Sequence, residues 1–403
     1  MTTISKISQS EHTLLNYLGL SLKQFDIPHL NSTLNAEVND EELEDIFEIA
    51  DRHEVLALLE NMSYSDRLTG KHSLTVQDKT ARTVHKGIKL QALNTKITAL
   101  LEKEGVKAVT LKGGAVARFY PVPEFRKTTD IDLFVFSKED AQKAGRILCE
   151  NGFKFSQLWH ANHHIVLVSE KGETVEIHLS WAEAFREKRL NQYLEKIQKE
   201  SRNHCQPIDC QGEKIFAYET AFQGFYLLIH MFQHFVGSGF GLRNLCDWVV
   251  LWENCDDEKA RKDFRKMVCE SGTEKFAQAV TSVCVNYLGL SKEKSPFSED
   301  SLTEQEVTDE LLRDILDAGE FGYSEPERMV GMDGNSLMTY IKEFHHQMHI
   351  NFPKSGRMIL FWPVLWLATL IRFLKNNKKY NRAPVTAIMK KAGKRGELVK
   401  QLL

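Results

Sequence analysis

With 403 residues, 42% hydrophobic, 27% charged, nine prolines and a net charge of −3, the chain has the composition of a globular protein. That length allows roughly two to three domains and a core needing no covalent staples, and the composition excludes disordered, collagenous and membrane-embedded classes. The seven cysteines (Cys149, Cys205, Cys210, Cys246, Cys255, Cys269 and Cys284) are odd in number and never spaced Cys-x-x-Cys, so reduced thiols are expected and neither a disulfide framework nor a cysteine zinc site is.

Residues 1–103 read as a helical region. Met1 to Gln9 shows no basic stretch followed by an apolar run, so no signal peptide is expected and a cytoplasmic location is. Asn39 with Glu42 resembles a capping box ahead of Leu43, Ile46, Phe47 and Ala50, and Leu90, Leu93, Ile97, Leu100 and Leu101 repeat the helical spacing. Between 104 and 200 the texture changes to an α/β core. Ala108 to Leu111 predicts a strand ending at Lys112-Gly113-Gly114, and Ala115 to Tyr120 a brief helix stopped by Pro121 and Pro123. Asp130 to Phe136 alternates as a strand, Lys138 to Glu150 reads as a helix, and Ile165 to Val168 with Thr174 to Leu179 flank a Glu-Lys-Gly-Glu turn as a hairpin. The fold class expected is α+β, a small mixed sheet embedded in and followed by helices.

A central helical region is expected over 201–290, centred on Thr220 to Glu253, then a polar linker over 291–310 containing Pro296, and C-terminal helices over 311–403 interrupted by a loop from Gly322 to Asn335. The apolar run Met358 to Ile371 is 14 residues long and contains Pro363, whereas a bilayer span needs about 20, so a buried or interfacial helix is expected and no transmembrane segment. From Arg372 to Leu403 ten basic residues face one acid, Glu397. This +9 tail, set against −12 for the rest of the chain, can attract anions or serve as a solvated helical end.

The chemistry concentrates in the core. Residues two apart on a strand share a face, so Asp130 and Asp132 project together while Ile131 and Leu133 turn inward. Two adjacent carboxylates are most simply held ionised by a hard divalent cation such as Mg²⁺ or Mn²⁺. Glu176 and His178 alternate with Val175 and Ile177 in the same manner, Glu176 offering a third carboxylate towards one cleft. The Lys112-Gly113-Gly114 junction gives backbone freedom and exposed amides suited to phosphate, with Lys112 and Arg126 adding positive charge. His230 and His234 share a helix face, and Arg243 and Asp247 follow the Gly237-Ser238-Gly239 turn. This corner admits three readings: an acceptor pocket, a packed helix pair, in which Arg243 and Asp247 form an internal ion pair, or a zinc site. The groups His160-His163-His164 and His345-His346-His349 lack a carboxylate partner in sequence and read as structural.

Leu111-Lys112-Gly113, Tyr120-Pro121, Arg126 and Asp130-Ile131-Asp132-Leu133 resemble the signature of the bacterial family of uncharacterised nucleotidyltransferases, a branch of the DNA polymerase beta-like superfamily. Ile49 to His53 resembles that family's N-terminal helix, and His230, His234, Arg243 and Asp247 its central helical motif, so the likeness runs from about residue 40 onward. The resemblance implies Asp130, Asp132 and Glu176 as metal ligands and a nucleoside triphosphate (ATP or another) as donor. It leaves the acceptor open among small molecules, peptides, proteins and RNA. Where the wider superfamily carries Gly-Ser at the phosphate loop, this chain has Gly113-Gly114. The expected activity is metal-dependent transfer of a nucleoside monophosphate, and the alternatives are a non-catalytic nucleotide- or partner-binding protein and a zinc hydrolase centred on His230, His234 and Asp247.

Overall fold

A computed structural model describes residues 7–23, 38–60, 71–156, 164–185, 187–210, 213–320, 337–352, 355–379 and 395–402. The expected loop from Gly322 to Asn335 and the histidines His160 and His163 lie outside the described residues.

The N-terminal region is helical: α1 (Gln9–Ser21), α2 (Asp40–Arg52) and the long α3 (Lys71–Lys103). Asn39 caps α2 through its side chain, which accepts from the Glu42 backbone N–H at 2.9 Å. The core follows as β1 (Ala108–Thr110), α4 (Lys112–Val116), β2 (Ile131–Val135), α5 (Lys138–Glu150), β3 (Phe153–Phe155), β4 (His164–Ser169) and β5 (Thr174–His178). Ser137 starts α5 by accepting from the Asp140 N–H at 3.0 Å. The five strands form one mixed sheet in the order β1-β2-β5-β4-β3, parallel only between β2 and β5.

Period-2 alternation gives this sheet two different faces. Ile131, Leu133 and Val135 of β2 with Val175 and Ile177 of β5 pack against Leu90, Ile97 and Leu101 of α3 and Ala141, Ala144 and Leu148 of α5. The opposite face carries Asp132, Phe134, Glu176 and His178, and Phe134 joins the second core, built on Trp181 and the helices after it. Every residue of β2 is buried, as a strand covered on both faces must be.

Beyond the sheet come α6 (Lys188–Glu200), β6 (Cys205–Cys210), β7 (Glu213–Tyr218), α7 (Thr220–Val236), α8 (Leu242–Glu253), α9 (Glu258–Ser271), α10 (Glu274–Tyr287) and α11 (Gln305–Ala318), and then α12 (Leu337–Asn351) and α13 (Trp362–Lys379). The β6–β7 hairpin is a departure from the all-helical reading of 201–290. Its Ile208 and Ile215 are paired across the two strands and buried, a two-residue pattern that Pro207 obscures in sequence. The polar stretch after Ser291 is seated on the body rather than spanning open space: Phe297 is buried against Phe264, and Ser295 is buried with it. Among the described residues no helix is long and apolar enough to cross a membrane.

Candidate functional site

Asp130 sits at the mouth of β2, and Asp132 one strand step further in, on the face turned towards α7 and α8. The parallel register sets Asp132 opposite Glu176, and Phe134 opposite His178. Glu176 and His178 therefore lie beside Asp132 through main-chain pairing of two buried strands, a rigid support. On the far side of β5 the antiparallel register brings His164 of β4 opposite His178, their rings 5.3 Å apart.

The contacts converge on Asp132. The Lys112 ammonium donates to its Oδ1 at 2.8 Å, and His178 Nε2 donates to the same oxygen at 2.8 Å while lying 3.3 Å from Glu176 Oε2. Thr129 Oγ1 donates to Asp130 Oδ1 at 3.1 Å. Burial opposes every charge here, and pairing outweighs it at most positions. Against its own burial, Asp132 is held well below the ordinary carboxylate range by Lys112 and His178, and Glu176 is lowered by His178. Lys112 and His178 are raised by Asp132. Asp130 goes the other way: burial and the charge of Asp132 lift it, and Lys112 offsets only part of this. The centre thus carries an uncompensated repulsion that a cation would relieve. Donor atoms of His164, Glu176 and His178 lie within 4.8 Å of one another, a group that could hold a divalent ion, and Glu176 of that group stands opposite Asp132 across the β2–β5 pair.

Lys112 has φ of 45°, a left-handed conformation unusual for a residue with a side chain, and this bend follows directly from β1. The glycines after it answer to packing. A β-carbon on Gly113 would run into the Arg126 guanidinium, and one on Gly114 would stand 2.6 Å from Thr110 Cγ2. Thr110 and Asn94 hydrogen-bond each other behind the turn, so a serine at 114 would have to displace a buried pair. This is the physical reason the chain departs from Gly-Ser. α4 is only five residues long, so the phosphate attraction expected at its N-terminus rests on the Lys112 ammonium more than on a helix dipole.

The cleft above these carboxylates, about 80 Å³, is lined by Lys112, Thr128, Asp130, Asp132, His230 and Arg243 among others. The helical corner therefore does face the acidic strand. Its charged residues are otherwise occupied than expected. Arg126 lines the cleft with its guanidinium engaged: Nε and Nη2 bind Asp247 at 3.1 and 2.6 Å, and Nη1 donates to the Lys127 carbonyl at 2.8 Å. Asp247 also accepts from Tyr120 Oη at 2.7 Å, so it is spent on structure and cannot join a zinc site. Arg243 and Asp247 form no internal pair. Arg243 lies 2.9 Å from Glu54 and 2.5 Å from Glu320, and donates to the Lys127 carbonyl at 3.1 Å. His230 and His234 meet Nε2 to Nε2 at 3.1 Å, and burial lowers both, His234 to about 4, so they are a neutral pair sharing one hydrogen bond.

Three contributors escape sequence reading. His164 faces the carboxylates, although its cluster read as structural; counting cross-strand positions through the hairpin turn would have placed it opposite His178. Tyr226 is buried, stacks on His230, and keeps its phenol protonated because burial and the charge of Asp132 both raise it. His53 accepts from the Leu242 N–H at 3.2 Å, fixing the start of α8. No pattern in sequence signals Tyr226, and His53 enters the sequence reading only as the end of the family-like helical motif Ile49 to His53, without this role.

A small mixed sheet embedded in helices, with Asp130 and Asp132 lining one cleft, has the architecture of a nucleotidyltransferase-like protein. A model of the family described as uncharacterised nucleotidyltransferase matches residues 39–289, and the chain belongs to that family. No curated protein matches the sequence. Among solved structures, the chain is similar to an antigenic nucleotidyltransferase-like protein from Paracoccidioides brasiliensis, at 13% identity, covering 50% of this chain and 92% of that one with a TM-score of 0.30.

Proposed function

We propose that the protein transfers a nucleoside monophosphate from a nucleoside triphosphate to an acceptor, using Mg²⁺ or Mn²⁺ held by Asp130, Asp132 and Glu176. The observation that carries this reading is the β2–β5 register, which sets Asp132 opposite Glu176, with Asp130 and Asp132 both lining the cleft. The ion, when bound, supplies Lewis-acid stabilisation of charge on the transferred phosphoryl group.

The chain's own residues do the rest. Lys112 offers the cation nearest the carboxylates for the triphosphate, and its strained backbone holds it there. His178 bridges Asp132 and Glu176 and fixes the orientation of both. Arg126 acts as a positioning residue, tying the loop before β2 to α8 through Asp247. Arg243, His230 and Asn244 on the helical wall face the acceptor or the nucleotide. A larger cavity of about 280 Å³ shares Thr128 with the cleft and is lined by Leu56, Ala57, Lys79, Lys86 and Lys127, and we place the acceptor on that side.

The test is incubation of the protein with each labelled nucleoside triphosphate and Mg²⁺ in cell extract, following which species gains label. Label transferred by the wild type and lost in Asp132→Asn supports the reading. One observation favours a second: Asp132 is satisfied by Lys112 and His178 alone, as a non-catalytic nucleotide sensor would need. Saturable nucleotide binding with no pyrophosphate released in extract would select that reading.

A further inference from the structure

The C-terminal helix α13 and the turn before it expose apolar surface unlike the rest of the molecule. Ten of the fourteen exposed large hydrophobic residues among the described residues fall between Met358 and Leu374, and Leu360 is 84% exposed. At 100° per residue, Val364, Leu367, Leu370, Ile371 and Leu374 fall within an arc of about 120° on one side of the helix. The other side is anchored to α12: Trp366 Nε1 donates to His345 Nδ1 at 3.2 Å, and the Trp362 and His345 rings lie 4.5 Å apart. The arc therefore faces outward by construction. A contiguous apolar stripe of this kind marks an interaction surface, since scattered apolar residues would need no explanation.

Charge identifies the occupant. From Met358 to Lys379 the sequence has no acidic residue, and Arg372, Lys375, Lys378 and Lys379 follow one another at its C-terminal end. Arg372 and Lys375 are exposed on one flank of the arc. Two copies packed along this stripe would offer these cations no acidic partner, whereas paired helices normally carry opposite charges along such a seam. Spanning is excluded by length and by the lysines, as no described helix can cross a membrane. We propose that α13 lies in the plane of an anionic membrane surface, its apolar arc among the acyl chains and Arg372 and Lys375 at the headgroups. The surface is remote in sequence from the nucleotidyltransferase site and its assignment is independent of that activity.

The test uses the full chain in co-sedimentation with vesicles of equimolar phosphatidylglycerol and phosphatidylcholine, or of phosphatidylcholine alone, with sedimentation velocity in the absence of lipid. The protein should bind the anionic vesicles, at least about tenfold more weakly the neutral ones, and lose binding in both Leu367→Glu/Ile371→Glu and Arg372→Glu/Lys375→Glu. These side chains are exposed, and unchanged circular dichroism of the variants verifies the fold. No binding to anionic vesicles overturns the proposal. So does a self-association abolished by Leu367→Glu/Ile371→Glu without vesicle binding, which would assign the surface to a second copy.

Discussion

The floor and the wall of the cleft each bury an aspartate, and they solve the problem of its charge in opposite ways. Asp247, 2% exposed, is gripped by the planar fork of Arg126 and by Tyr120, so both carboxylate oxygens have fixed partners. Asp132, 6% exposed, has its contacts crowded on Oδ1, from a flexible lysine and a histidine, with Asp130 repelling from next door. A bidentate arginine closes a carboxylate off; a lysine and a histidine on one oxygen leave it able to take a further cation. The same residue type is thus architecture in one place and chemistry in the other.

The sharpest way to break this contrast is to neutralise each acid in turn. Asp132→Asn should lower nucleotidyl transfer by about 10⁴-fold or more with the circular dichroism spectrum unchanged, because the carboxylate serves charge stabilisation. Asp247→Ala should instead cost about 3–5 kcal/mol of stability by stranding the buried Arg126, measured by urea denaturation. Replacing both partners, as Arg126→Met/Asp247→Leu, should recover most of that loss, since the pair cancels its own burial cost. A stable Asp247→Ala protein would mean that the wall is no more committed than the floor. Smaller, Gly113→Ala should cost about 1–3 kcal/mol by forcing the Arg126 guanidinium aside, detectable as a lower melting temperature before any kinetic assay.

His53 extends the comparison to the helical wall as a function of pH. Burial, then the neighbouring charge of Arg52, lowers it from 6.5 to about 3, so it stays neutral in the folded chain and accepts from the Leu242 N–H. The unfolded chain binds the extra proton between those two values, so stability is complete above about pH 6.5 and is lost as pH falls towards 3. Between pH 7 and 5 the loss from this residue should be about 2 kcal/mol. Denaturation curves of wild type and His53→Gln at the two pH values measure it, and an identical pH dependence in the variant would remove His53 as the cause.

Much of the sheet was legible because local rules decide it. The helical texture of Lys138 to Glu150 marks α5, alternation marks β2, and the Glu-Lys-Gly-Glu turn joins β4 to β5. The shared placement of Asp130, Asp132 and Glu176 follows from those strands once the parallel β2–β5 register is known. What was hidden depends on distance along the chain. Arg126 and Asp247 are 121 residues apart, and no local pattern could show that they consume each other. The tie from Arg243 to Glu54 and Glu320 is hidden for the same reason, as is His164, whose cleft position depends on strand pairing. The β6–β7 hairpin was missed because Pro207 interrupts an alternation too short to stand out. The apolar run in α13 showed its length and composition but not its side, which only packing against α12 decides.

The central claim is that the β2–β5 acids form a divalent-cation centre, and Mn²⁺ titration followed by electron paramagnetic resonance, with nucleoside triphosphate present, addresses it most directly. Wild-type protein should bind Mn²⁺ saturably, and Asp130→Asn, Asp132→Asn and Glu176→Gln should each weaken binding by at least about tenfold, with Asp247→Asn unaffected wherever it remains folded. Unchanged Mn²⁺ affinity in all three acid variants would contradict the assignment of these carboxylates.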